Sequence, residues 1–308
     1  MVLSLSACGS KKDDGTYTIG ICQLVQHEAL DAATKGFQDA LKEKLGDKVK
    51  FDVQNASGEA TNCTTITSKF VSDKVDLIMA NATDALSAAS QATDTIPIVA
   101  TSITDYATAL GIDKWTGKTG FNVTGTADLA PLAEQAAMFK ELVPDAKNVG
   151  ILYCSAEKNS KYQSDVMTKE LKKLGISTKE YTFVDTNDVT SVTQQIVTDK
   201  VDAVFVPTDN TAASNAQAIN NVLEPAKIPV IAGESGICKG CGVATLSISY
   251  YDLGYKTGEM AYEILVNGKD PADMKIEYST DLTKHYYPER AEKLGITVPD
   301  SYKPLDAE

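Results

Sequence analysis

Arginine is almost missing from this sequence. Of 308 residues, Arg290 is the single example, and His27 and His285 are the only histidines. One guanidinium excludes the set of bidentate forks that a polyphosphate or polycarboxylate ligand needs. Two imidazoles exclude a His-rich metal site. A formal charge of −13 argues against a nucleic-acid partner, which needs a basic face, and against electrostatic docking on anionic lipid. No apolar run reaches the ~18 residues of a membrane-spanning helix. Neither a G-x-G-x-x-G fingerprint nor a P-loop occurs, and no Ser-His-Asp set is evident. Cys238 and Cys241 have no second ligand pair at zinc spacing. They precede Gly242 and a strand-like VATL, whereas a thioredoxin-type motif opens a helix after a strand. The pair reads as a local disulfide in a glycine-rich turn, or as two free thiols. The expectation is therefore no catalytic residue, no metal and no cofactor.

What is present is a chain that resembles itself. Apolar residues make up 43 % of it, enough for real cores, and its length suggests about two domains. FVSDKVD at 70–76 is answered by IVTDKVD at 196–202. Each leads into a short apolar run, DLIMAN or DAVFVP, then an Ala-rich helical stretch, then Ile-Pro and another apolar run. Upstream, YTIGIC at 17–22 matches NVGILYC at 148–154. Each precedes an amphipathic helix: Leu30, Ala33, Phe37, Leu41 and Leu45 in the first, Val166, Met167, Leu171 and Leu174 in the second. Short continuous apolar strands alternating with helices indicate parallel sheets covered on both faces. The fold class is therefore α/β: two similar doubly wound parallel-sheet lobes joined by a hinge. We expect the first lobe over 17–120 plus about 249–282 and the second over 121–248 plus about 283–308. Residues 117–128 would serve as crossing strand and hinge, with Asp128 capping the next helix and Pro131 in its first turn.

In open parallel sheets, ligands gather at the carboxyl ends of the strands. If the hinges bring two such edges face to face, the loops after equivalent strands line one cleft. The first lobe contributes Gln23, His27, Asn81, Thr83, Thr101 and Ser102; the second contributes Tyr153, Ser155, Asn159, Thr208, Asp209, Asn210 and Glu234. Thr83 and Ser102 stand near expected helix N-termini, which take a carboxylate without any arginine. Asp209 and Glu234 on the facing lobe suit an ammonium. A carboxylate receptor facing an ammonium receptor describes an α-amino acid. Tyr153, Tyr250 and Tyr251 are available to wall an aromatic side chain. Thr83, Asp209 and Asn210 are also natural helix caps.

Leu5-Ser6-Ala7-Cys8 resembles a bacterial lipoprotein lipobox, followed by the polar leash GSKKDDG. The resemblance implies a longer precursor and a lipidated Cys8 that anchors the protein outside the cytoplasm. An exported protein permits disulfides, without indicating any pairing among Cys22, Cys63 and Cys154. The stretches IGICQLVQHEALDAATKGF, IPIVATSITDY, GFNVTGTAD, VPTDNTAAS and IAGESGICKGCGVATLSISYYDLGYKTG resemble ABC-importer substrate-binding lipoproteins of the type I periplasmic-binding-protein fold. Within that family they resemble the branch that binds tryptophan and other aromatic amino acids. The resemblance implies a monomeric, non-enzymatic capture protein that hands a small amino acid to a membrane permease. A nucleoside or sugar ligand on the same fold is the alternative.

Overall fold

The computed structural model describes residues 15–279 and 281–305; Cys8 lies outside them. The first lobe begins β1 (Tyr17–Gln23), α1 (Glu28–Leu45), β2 (Val49–Asn55), α2 (Ala60–Asp73), β3 (Leu77–Asn81) and α3 (Thr83–Ala92). It continues with β4 (Ile98–Ile103), α4 (Tyr106–Leu110) and β5 (Val123–Ala127). The second lobe runs α5 (Leu132–Leu142), β6 (Asn148–Cys154), α6 (Lys158–Lys173), β7 (Ser177–Phe183), α7 (Val189–Asp199) and β8 (Ala203–Val206). After α8 (Asn210–Ser214) and α9 (Ala216–Leu223) come β9 (Val230–Ala232), α10 (Ser235–Gly240) and β10 (Ala244–Ser247). The chain then returns to the first lobe for α11 (Tyr250–Leu265) and β11 (Glu277–Tyr278), and ends in the second with β12 (Thr283–Tyr286), α12 (Pro288–Leu294) and β13 (Lys303–Pro304).

The first sheet has the order β11-β5-β4-β3-β1-β2 and is parallel throughout. The second has the order β13-β12-β10-β9-β8-β6-β7, with β12 antiparallel to β10. Strands β2-β1-β3-β4-β5 and β7-β6-β8-β9-β10 therefore trace the same winding twice. The repeated DKVD explains part of this. Lys74 and Lys200 end α2 and α7 in the left-handed region, at φ 53° and 56°. The aspartate two residues on then staples the next strand to its neighbour. Asp76 accepts from the Thr18 N–H at 2.6 Å, and Asp202 accepts from the Lys147 and Asn148 N–H groups at 2.8 Å. Central strands β3, β4, β8, β9 and β10 are buried along their whole length, as continuous apolar runs require. The edge strands β2 and β7 alternate instead.

One expected boundary moves. Residues 121–127 do not begin the second lobe, because β5 hydrogen-bonds to β4 and belongs to the first sheet. The first crossing falls at 128–131; the second follows β10 at 248–249, and the third lies between β11 and β12. Asp128 caps nothing there, since α5 starts behind Pro131.

Helices α1 and α11 pack backbone to backbone across the first sheet. A Cβ on Gly254 would lie 1.9 Å from the Ala33 carbonyl oxygen, one on Gly36 2.1 Å from that of Tyr251, and one on Gly258 2.7 Å from that of Phe37. Beneath them Phe37 and Leu41 are fully buried against β1, β3 and β4, at about 1.5–3 kcal/mol of burial each. This contact sets the starts of both helices side by side. His27 lies at one start and Tyr250 at the other.

Candidate functional site

A pocket lies between the lobes, at the carboxyl edges of both sheets. The first lobe lines it with His27, Leu30, Ser102, Thr104, Asp128 and Tyr250. The second lines it with Asn159, Thr208, Asp209, Asn210, Ala213 and Glu234. Seven of the expected residues thus meet there: His27, Ser102, Asn159, Thr208, Asp209, Asn210 and Glu234.

The other six are held elsewhere. Gln23 spans Asp31 Oδ1 at 2.6 Å and the Thr34 hydroxyl at 2.6 Å, and the Asn81 amide donates to the Leu30 carbonyl at 2.8 Å, so both secure α1 to the sheet. Thr83 is buried as the first residue of α3, outside the pocket lining. Thr101 pairs with Thr126 at 3.0 Å, and Thr126 with Thr257 at 2.9 Å, a hydroxyl chain running under α11. Tyr153 is second-lobe core, its hydroxyl donating to Glu180 at 3.1 Å. The Ser155 hydroxyl donates to the Phe183 carbonyl at 3.2 Å.

Asp209 and Glu234, expected to hold an ammonium, have both oxygens occupied by the protein. Asp209 caps α8 through Ala212 N–H at 2.7 Å, and its second oxygen takes Cys154 N–H and Ser160 Oγ–H, each at 2.7 Å. Glu234 caps α10 through Gly236 and Ile237 N–H. Burial first, then the nearby Glu157 carboxylate, pushes Asp209 up to about 8; burial also pushes Glu234 up to about 7. The other end of α10 is closed by Arg290. Its guanidinium donates to the carbonyls of Cys238 at 2.9 Å, Gly242 at 2.5 Å, Lys239 at 3.1 Å and Gly240 at 3.3 Å. Cys238 sits in this helix and Cys241 caps it, and both are free thiols rather than a disulfide. Burial pushes Cys241 up to about 12, so it packs as a neutral side chain. Cys22, Cys63 and Cys154 are likewise free.

The sequence reading missed Asp128 as a pocket residue, along with Thr104, Leu30 and Ala213. Asp128 is 4 % exposed and receives Tyr250 O–H at 2.8 Å and Thr104 O–H at 3.2 Å. Burial raises its pKa from the ordinary aspartate value. Its place just past the end of β5 was the available signal, hidden by the cap-like pattern before Pro131. Beside it, Ser102 has φ 58°, a conformation that side-chain-bearing residues seldom adopt. The buried Ser102 hydroxyl has no hydrogen-bond partner among the described residues. Strain and an unpaired polar atom thus coincide in one wall of the pocket.

Among the described residues, three hydrogen-bonded pairs cross the gap. His27 Nε2 lies 3.2 Å from Asn210 Oδ1, Thr104 Oγ1 lies 3.4 Å from Thr208 Oγ1, and Lys239 Nζ lies 2.6 Å from Glu28 Oε1. The Asn210 amide nitrogen donates to Glu157 at 2.8 Å. A carboxylate only accepts, so the Asn210 oxygen faces His27 and Nε2 carries a proton. Burial lowers the His27 pKa, which favours the neutral Nε2–H tautomer. No lysine or arginine lines the pocket, and no cluster able to hold a metal occurs among the described residues.

Two hinged α/β lobes closing on a small polar pocket define a solute-capture protein. No helix among the described residues is long and apolar enough to cross a membrane. The chain belongs to the ABC transporter substrate-binding protein family, which it matches over residues 18–305. Such proteins serve ABC importers outside the cytoplasm; the family binds solutes and is not one of enzymes. The chain is 40 % identical over 261 residues to a tyrosine-binding protein of Clostridioides difficile, covering 84 % of this chain and 75 % of that one. A Streptococcus pneumoniae structure in complex with L-Trp matches with TM-score 0.88 at 33 % identity, over 93 % of this chain and 97 % of the other. The ligand-free, open structure of a substrate-binding protein with adhesive properties from Clostridium difficile gives TM-score 0.72 at 36 % identity, over 95 % and 100 %.

Proposed function

We propose that this protein captures an aromatic amino acid in the interlobe pocket and delivers it to an ABC importer. The observation that carries this reading is the pairing, in one wall, of the unpartnered Ser102 hydroxyl with the buried Asp128 carboxylate. Ser102 takes the ligand's carboxylate and Asp128 its ammonium, in a charge-assisted contact ordered by Tyr250 and Thr104. Leu30 and the Tyr250 ring provide apolar wall for the side chain. Asn159, Thr208 and Asn210 supply polar contacts from the second lobe. With no lysine or arginine in the lining, the pocket offers no cation to an acidic side chain. The tyrosine and tryptophan recognised by the relatives support an aromatic one. Two further features complete the proposal: the protein is a monomer, and it is held at the membrane by lipid on Cys8.

Calorimetry against L-tyrosine, L-tryptophan, L-phenylalanine, glucose and adenosine tests the ligand class. Saturable binding of an aromatic amino acid alone is expected; binding of only the sugar or nucleoside refutes the reading. Cys8→Ala in the full precursor should move the protein from membrane to soluble fractions.

A further inference from the structure

Most of the ion pairs act within a lobe. Lys44–Glu259 and Lys256–Glu277 join elements of the first, and Lys284–Glu141 and Arg290–Glu224 join elements of the second. Glu28–Lys239 differs, because it bridges the first turn of α1 to α10 across the gap. Neither residue lines the pocket. Each is nevertheless mounted on a pocket element: Glu28 follows His27, and Lys239 sits in the helix whose start Glu234 caps and whose end Arg290 holds. The anchorage is therefore stiff on the second-lobe side. The α1 side is fixed by its glycine-mediated contact with α11. The side chains remain partly open to water, 47 % for Glu28 and 25 % for Lys239, so parting them strands no buried charge. A pair of modest strength between rigid mounts, parting without a stranded charge, has the properties of a catch.

We infer that Glu28 and Lys239 form the latch of the cleft, a pair that sets how long the closed lobes hold their ligand rather than which ligand they hold. This rests on the capture reading above. Opening must break the pair, whereas ligand entry into separated lobes need not form it. The pair therefore acts on dissociation. Its strength is electrostatic and partly solvated, so it weakens as salt rises.

Stopped-flow binding of L-tyrosine and L-tryptophan to the full chain separates the two rates. Glu28→Gln should raise the dissociation rate up to about fivefold at low salt, the range of a partly exposed pair, with association changed by less than about twofold. The difference should vanish near 1 M salt. Glu28→Lys should be worse than Glu28→Gln, and adding Lys239→Glu should restore slow release. A lysine in the first turn of α1 opposes the helix dipole, so rescue by the second substitution comes from the pair and not from the helix. Equal dissociation rates for wild type and Glu28→Gln at low salt, or failure of the double exchange to rescue Glu28→Lys, overturn the latch. If neither these two nor L-phenylalanine binds the wild type, the capture reading fails, and small-angle scattering then decides the latch without ligand. A larger radius of gyration for Glu28→Lys than for wild type and the double exchange supports it; identical radii refute it.

Discussion

Asp128→Asn separates binding from folding, because the structure predicts opposite signs for the two. The wild-type carboxyl is buried, receives only two hydroxyl donors, and has a pKa raised by burial. A carboxyl whose folded pKa lies above its unfolded value binds its proton more tightly when folded. Its ionisation therefore costs stability as pH rises through that window. Asparagine keeps the shape and one acceptor oxygen and removes the cost. The ligand-free variant should be at least as stable as wild type at pH 7.5 in urea denaturation. Binding should move the other way. Removing one charge of a desolvated pair typically costs about 2–5 kcal/mol, and a tenfold change in affinity is about 1.4 kcal/mol. The variant should thus bind its amino acid roughly 30-fold to 4,000-fold more weakly by calorimetry. An affinity within about threefold of wild type, in a folded variant, would remove Asp128 as the ammonium receptor.

Other expectations follow from the same geometry. Ser102→Gly should relieve the positive-φ strain and leave or improve ligand-free stability, while Ser102→Ala should not. Both should weaken binding by about ten- to 150-fold, the value of one hydrogen bond to a charged group, and unchanged affinity in both would discard the hydroxyl as a contact. Gly254→Ala places a Cβ where the Ala33 carbonyl stands. Overpacking of about 1–3 kcal/mol or more should lower the midpoint of thermal unfolding by several degrees, and an unaltered midpoint contradicts the packing. Above about pH 6.5 an unfolded histidine is already mostly neutral, so the lowered pKa values of His27 and His285 add little further slope. Between there and pH 8 the raised carboxyls of Glu234, about 7, and Asp209, about 8, still hold protons in the folded protein. Ligand-free stability should therefore fall across that interval, and a rise in urea midpoint would refute the assignment.

The repeat was legible because it encodes backbone. DKVD ends a helix on a left-handed lysine and ties the next strand by its aspartate, and it does so in both lobes. The carboxyl edge of each sheet followed from topology, and with it the neighbourhood of the pocket. Individual side chains were harder to place. In strands buried on both faces, apolar and small polar residues fill either side, so no alternation tells which hydroxyl meets the cleft. Thr101 turns inward to Thr126 while its neighbour Ser102 lines the pocket. Asn81 and Gln23 look like ligand contacts by position, yet they secure α1. Acidic residues at helix starts posed the reverse problem. Asp209 and Glu234 are pocket residues whose oxygens are already engaged as caps, whereas Asp128 resembled a cap and is buried at the hinge.

The grip of Arg290 on α10 has a practical consequence. With a single arginine in the sequence, an arginine-specific protease has one bond to cut, at a side chain that is 6 % exposed in the folded protein. Cleavage there becomes a clock for local opening of this corner of the second lobe. If that corner relaxes when the lobes part, the speed of a single nick would report occupancy of the cleft from a site outside its lining.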